Sequence, residues 1–448
     1  MNLDICRATL LERLADVPLM DAHTHLVGGK LSACGLHDIL LYHMSISELY
    51  AAGCPTGARL TQYPGWPSKQ EAHARIQEAL PHLARVQNTS THWGVRMILS
   101  DLYGWTGEIR ADNWRRLDDQ IRERADDRAW HREILQRAGI QRACTEIARR
   151  EDGSDDDILH YALEWAFFTR CQWEEFDIAL HELERCWGHT PESPSPIGTG
   201  QRPPTERTIR SLDDCHAAVQ WYVDHIPSEQ ILSMATHIST DVDLRVISDD
   251  EMTSTLSRRD KAGPAERDIY ASWINEAFLS AFEKKCADRV TFQFSFGAEP
   301  LPYETASRLS QRTIAQLAEM IGRHPTIRFQ CFLSSMHANQ SLCTMCRELP
   351  NLSMVGYWWH NFFPAFIARV MEERLDMLPL NRQIGFFSDA YVVEWAYAKA
   401  NIVRSVLADV LSRRVVLGQY DIDTAVSIAR EVLFETAQSL PGMKPTQV

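Results

Sequence analysis

The strand-like run Val17–Ala22 leads into Met20-Asp21-Ala22-His23-Thr24-His25-Leu26, and the reading of this stretch decides the fold. Alternate side chains of a strand share a face, so His23 and His25 project the same way. Two neutral imidazoles placed like this can reach one metal ion. A metal held where a first strand ends is the arrangement expected of a parallel (β/α)8 barrel, which gathers its chemistry at the carboxyl ends of its strands.

Seven further runs of strand-like composition lie downstream: Ile140–Glu146, Ala166–Arg170, Ile231–Thr236, Val290–Phe296, Ile327–Leu333, Leu352–Trp358 and Ile384–Ser388. Stretches such as Ala306–Ile321 and Tyr391–Leu411 separate or follow them, with apolar residues three and four apart, as helices require. Eight strands alternating with helices predict an α/β TIM-like barrel. An open doubly wound sheet alternates in the same way, but no glycine-rich turn follows the first strand here. Residues 31–138 break the repeat and read as a large helical insertion after strand one, with Leu40–Leu49, a loop at Tyr63–Pro67 and a charged helix Trp114–Arg128. Gly188–Thr208, rich in Pro, Gly, Ser and Thr, reads as an exposed loop. The expected organisation is an N-terminal helix and first barrel strand over 1–30, the insertion over 31–138, and the remaining barrel with its C-terminal helices over 139–448.

Two other strand ends offer metal ligands. Ser233-Met234-Ala235-Thr236 runs into His237, and Phe386-Phe387-Ser388 runs into Asp389, which a closed barrel brings beside strand one. The competing readings are a hydrogen-bonded rim histidine for His237 and an N-cap of the following helix for Asp389.

Composition narrows the rest. A net charge of −14, with no Lys/Arg-rich block, excludes a nucleic-acid partner. Eleven cysteines, odd in number and scattered, with a lone C-x-x-C at Cys343 and Cys346, read as reduced thiols rather than a disulfide framework or zinc finger. Met1–Leu14 reads as an amphipathic helix and not a signal peptide, and no apolar run is long enough to span a bilayer. These features predict a cytoplasmic enzyme with no membrane partner. The apolar helices Val392–Leu411 and Thr424–Leu440 are candidates either for covering the barrel or for joining subunits of a homo-oligomer.

With Asp21-Ala22-His23-Thr24-His25-Leu26 on strand one and Asp389 ending strand eight, the chain resembles the amidohydrolase superfamily, and in particular its uronate (glucuronate) isomerase branch. Three further stretches carry the resemblance: His92-Trp93-Gly94-Val95-Arg96-Met97 with Leu102-Tyr103-Gly104-Trp105-Thr106-Gly107; Val355-Gly356-Tyr357-Trp358-Trp359-His360-Asn361; and Gly385-Phe386-Phe387-Ser388-Asp389. The matches span nearly the whole chain in order, insertion included. The resemblance implies one divalent metal on His23, His25 and Asp389, with zinc the default ion and manganese or iron as alternatives. It also implies substrate-binding roles for His43, Arg170, Trp358 and Trp359, with Arg170 suited to forking onto a carboxylate. The chain departs from the family pattern at three places. Tyr391 replaces an Arg, Ser295 replaces a His, and Ser334-Ser335-Met336-His337 replaces Asn-Pro-Arg, leaving His337 as a partial substitute for a lost cation.

The expected chemistry is aldose–ketose isomerisation of a hexuronate or related sugar acid. Asp389 would act as the base, with His237 and Tyr391 as proton shuttles. The alternative is a metal-dependent hydrolase or lyase of the same superfamily, in which Asp389 takes a proton from metal-bound water and His237 polarises the scissile group. A non-catalytic binding barrel is the third reading, and ligand-type residues at three strand ends argue against it.

Overall fold

Short apolar strands that point the same way, each covered by helices, bury both faces either in an open doubly wound sheet or by curling into a barrel. The computed structural model of the chain has the barrel architecture, and describes residues 2–54, 68–151, 155–165, 178–188, 207–238, 243–261, 263–296, 310–334, 336–357, 363–441 and 443. Eight parallel strands follow in chain order: β1 Leu19–Asp21, β2 Ile140–Glu146, β3 Leu159–Glu164, β4 Ser233–Ile238, β5 Thr291–Phe296, β6 Phe329–Leu333, β7 Leu352–Val355 and β8 Gln383–Ile384. Each pairs with the next, and β4 and β5 share a six-residue register from Ser233↔Thr291 to Ile238↔Phe296. Beyond the short ends of β1 and β8 the chain joins the sheet's two edges. Ala22 N–H donates to Phe386 O at 3.3 Å, Asp389 N–H to His23 O at 3.0 Å and His25 N–H to Ala390 O at 2.8 Å. These bonds bring the HxH stretch and Asp389 onto adjacent backbones.

The third strand differs from the sequence expectation. It is Leu159–Glu164, with Leu159, Tyr161 and Leu163 buried, and not Ala166–Arg170, which lies outside the described residues. The reason is tertiary. His160 and Glu164 interrupt the apolar run of this segment, yet its register against β2, Ala143↔Leu159 to Glu146↔Ala162, is what completes the ladder. β7 and β8 are also shorter than expected. Gly385 N–H donates to Val432 O, on the π-helical turn Glu431–Glu435, instead of continuing the strand ladder. Gly356 turns the chain out of β7 at φ 49°, and a Cβ there would sit 1.9 Å from Phe387 Cδ1. Only glycine tolerates both demands.

Helices Leu36–Leu40, His43–Ala51, Lys69–Ala79, Ser90–Tyr103, Trp114–Arg122 and Arg128–Ala138 run between β1 and β2. The charged helix ends at Arg122, and a new one starts at Arg128 because the Asp127 carboxylate caps Ala129 and Trp130 N–H. Tyr63–Pro67 and most of Gly188–Thr208 fall outside the described residues. The helix Val393–Val416 is buried along most of its length, with Glu394, Lys399 and Arg404 among its buried residues. Its Arg404 donates to Ala138 O and Val17 O, so one buried guanidinium satisfies both a helix end and the entry to β1. No described helix is long and apolar enough to cross a membrane.

One surface cluster gives the fold a pH signature. Arg323 forks onto Glu276 at 3.0 and 2.8 Å, and His324 lies 3.3 Å from Glu276 and 3.1 Å from Glu283. Burial pushes the Glu276 carboxyl up, but hydrogen bonds from His324 and Arg323 outweigh it and hold it down at about 2, against an ordinary 4.5. Burial pulls the His324 imidazole down, and its bonds to Glu276 and Glu283 lift it above 6.5. As pH falls below 4.5 the unfolded chain takes up the Glu276 proton first, so this stabilisation is lost toward pH 2. The His324 contribution is complete below 6.5 and is lost as pH rises through its raised value. Glu276→Gln is therefore expected to cost roughly 1–3 kcal/mol near pH 5–6. The gap to wild type should shrink as pH falls, as read by denaturant midpoints over a pH series. A gap independent of pH would assign Glu276 a packing role only.

Candidate metal centre

The histidine pair lies beyond the strand proper, on a segment held by Thr24 N–H to Cys144 O and His25 N–H to Ala390 O. His23 and His25 sit just past β1, with ring centroids 4.9 Å apart. Asp389 arrives from the β8 side: its Oδ1 lies 3.2 Å from His25 Nε2 and 3.6 Å from His23 Nε2. Among the described residues, His23, His25 and Asp389 form one of two groups whose ligand atoms all fall within 4.8 Å of one another. His43, from the insertion, adds Nε2 at 3.9 Å from Asp389 Oδ2.

The backbone that presents Asp389 is held in an unusual conformation. At φ 53° it is the only described non-glycine residue with positive φ. Asp tolerates this region better than most residues, but it still costs energy and persists where surroundings enforce it. Its N–H goes to His23 O, and its carbonyl accepts the Tyr42 hydroxyl at 2.5 Å. Lys399, wholly buried, donates to Tyr42 Oη at 2.8 Å and to the Ser388 carbonyl. The buried Asp21 carboxylate accepts Ser388 N–H at 2.7 Å. Burial lowers the Lys399 ammonium to about 7 even with Asp389 and Asp21 nearby, and burial raises Asp21 to about 7 against the bonds from Ser388.

Contacts behind the imidazoles orient them. His25 Nδ1 meets Glu146 Oε1, at the end of β2, at 3.2 Å, and Arg149 Nε donates to the other Glu146 oxygen at 3.0 Å. A carboxylate on the far nitrogen of a ligand histidine fixes its tautomer and leaves Nε2 facing the metal position. Tyr391 stacks on His25 with centroids 4.6 Å apart, and Phe332 and Phe387 pack beside His23. Burial pulls His25 down, but Asp389 and Glu146 lift it to about 8. Burial and the neighbouring His25 lower His23 to about 4, and burial lowers His43 to about 3. The bonds from His25 outweigh burial at Asp389 and at Glu146, and both carboxyls stay well below their ordinary range. The site thus holds two carboxylates, two neutral imidazoles and one imidazole that must shed a proton to ligate.

The other expected residues divide. His237, in β4, sits with Nδ1 3.0 Å from Ser295 Oγ on β5 and belongs to neither ligand group. His337 lies exposed on the turn Met336–Ala338. Arg170, Trp358 and Trp359 fall outside the described residues. Sequence reasoning missed Glu146, Tyr42 and Lys399. Glu146 carried a usable signal, since it ends its strand at the same rim as the histidines.

Fold and site together define a TIM-like barrel whose strand ends converge on a metal-type donor set. Neither a protein-family model nor a curated protein sequence matches the chain. Solved structures do. A uronate isomerase from Thermotoga maritima superposes with a TM-score of 0.72 at 12% identity, over 97% of both chains. A glucuronate isomerase from Caulobacter crescentus gives 0.72 at 14%, over 97% of this chain and 93% of that one. A protein from Lactobacillus casei ATCC 334, provisionally described as a metal-dependent hydrolase, gives 0.59 at 13%, over 96% of each. In fold the chain is similar to these uronate isomerases.

Proposed function

We propose that the chain is a metal-dependent enzyme that interconverts the aldose and ketose forms of a hexuronate or related sugar acid. The observation that carries this reading is the convergence of His23, His25 and Asp389, with His43 beside them, on a fold shared with uronate isomerases. Two imidazoles and a carboxylate fit a divalent ion, zinc by default, with manganese or iron also compatible. When bound, such an ion supplies positive charge for the oxygens of an enediolate.

The remaining work falls to side chains. Asp389 takes the proton from one carbon and returns it to its neighbour. His43, kept neutral by burial, accepts and donates the proton that moves between the two oxygens, with His237 and Tyr391 as further relays. Tyr391 also walls the site beside His25. Arg170 and His337 are assigned to the substrate carboxylate, and Trp358 and Trp359 to the sugar face. Tyr391, Ser295 and His337 stand where the family carries Arg, His and Arg. These changes favour a second reading, a metal-dependent hydrolase or lyase acting on another small molecule, as does the likeness to the Lactobacillus protein.

The deciding experiment incubates metal-loaded protein with a panel of hexuronates in deuterium oxide. Isomerisation predicts a ketose product carrying solvent deuterium at the carbon next to the carbonyl. Release of a cleaved product with no deuterium on carbon supports the second reading instead.

A further inference from the structure

The second ligand group lies in the insertion, apart from the rim site. Cys34, His37 and Asp38 fall within five residues of one another at the start of the helix Leu36–Leu40. His37 Nε2 stands 3.7 Å from Cys34 Sγ and 3.3 Å from Asp38 Oδ1. The His37–Asp38 separation is longer than the roughly 2.7–2.9 Å of a charge-assisted hydrogen bond, and the His37–Cys34 contact is a long, weak hydrogen bond to sulfur. Both separations match ligands that share a metal. Tetrahedral ligation at metal–sulfur and metal–nitrogen or –oxygen lengths of about 2.3 and 2.0 Å puts sulfur roughly 3.6 Å from nitrogen, and nitrogen roughly 3.3 Å from oxygen. We propose that Cys34, His37 and Asp38 form a second, structural metal site for a zinc-like divalent ion.

Three features support it. The cluster is enclosed, with His37 5% and Asp38 4% exposed, which limits competition from water for a bound ion. The ligand backbone is fixed within the cluster by Cys34 N–H donating to Asp38 Oδ2 at 2.8 Å, and from outside it by Arg122 Nη1 donating to Cys34 O at 2.9 Å and Trp395 Nε1 donating to Asp38 O at 3.2 Å. Charge also balances. One thiolate, one carboxylate and a neutral imidazole neutralise a divalent ion, while the nearby Arg122 is held by Asp118 at 2.6 Å. Gly35 lets the loop lie against that pair, since a Cβ there would come within 2.8 Å of Asp118 Oδ1 and of the Arg122 guanidinium.

The position explains a purpose. Trp395, and Glu394, which accepts Ala33 N–H, belong to the buried helix Val393–Val416, so the site staples the insertion to the barrel. The staple ends a few residues before Tyr42 and His43, which reach Asp389. The ion would thereby hold the insertion's contribution to the rim.

The rim ligands contain no sulfur, which makes the test specific. The full-length chain is stripped of metal, reconstituted with cobalt(II), and read for the near-ultraviolet thiolate-to-cobalt charge-transfer band. We expect the band in wild type and in His25→Ala, and its loss in Cys34→Ser together with one cobalt ion per chain. His37→Gln serves where Cys34→Ser fails to fold, and should weaken cobalt retention while the rim ion stays. No thiolate band in the cobalt-loaded wild type, or an undiminished band in Cys34→Ser, overturns the proposal. Neither outcome bears on the rim site or its chemistry.

Discussion

Asp389→Asn is expected to lower turnover of the sugar acid by about 10²–10⁴-fold, the range for loss of a general base, and to weaken metal retention at the rim. Asparagine is the informative substitution because it keeps the size of the side chain and tolerates positive φ about as well as aspartate. The φ 53° backbone, the N–H to His23 O and the carbonyl on Tyr42 then survive, so the change isolates the charge. Losing that charge removes the partner that lifts His25, and leaves two imidazoles facing an amide. Circular dichroism should match wild type, metal content should drop, and kcat/KM should fall chiefly through kcat. Wild-type turnover by Asp389→Asn would remove the base and, with it, the isomerase mechanism as written.

The histidine pair and Asp389 were legible because each follows an apolar run read as a strand, and closure of a barrel brings the ends of the first and last runs to one rim. Seven of the eight strands stand close to where composition puts them. The third does not, because Ala166-Phe167-Phe168 is more apolar than Leu159–Glu164, while pairing with β2 selects the latter. Residues that act through another were harder to see. Glu146 is visible only once His25 needs a partner for Nδ1. Tyr42 and Lys399 are 357 residues apart, and no local pattern links them. Lys399 does carry a faint mark: it stands in a largely apolar helical stretch, with Trp395, Ala396, Ile402 and Val403 three and four residues away. Cys34-x-x-His37-Asp38 was hidden by the general expectation that scattered cysteines are reduced thiols.

That buried lysine supports the second large effect. Lys399 is wholly buried, and its ammonium bridges the Tyr42 hydroxyl and the Ser388 carbonyl, directly beneath the residue with the strained backbone. Lys399→Met keeps most of the volume and removes the donors. The Ser388 carbonyl and Tyr42 oxygen then lose a buried partner, and Asp21 loses its nearby cation, an arrangement expected to cost about 3–5 kcal/mol when one member of a buried charged network is deleted. The cost is opposed by relief from burying an ammonium at all, which burial already lowers to about 7. Hydrogen-bond loss wins, because two buried acceptors each lose a donor for one charge removed. The measurable result is a lower denaturant midpoint with an unchanged m-value, accompanied by weaker metal binding at the rim as Asp389 relaxes out of its left-handed turn. Tyr42→Phe should reproduce the metal effect with a smaller stability loss, since it strands the Asp389 carbonyl but leaves Lys399 on Ser388. A Lys399→Met protein as stable as wild type would mean that the turn is held by the His23 and Asp21 contacts alone.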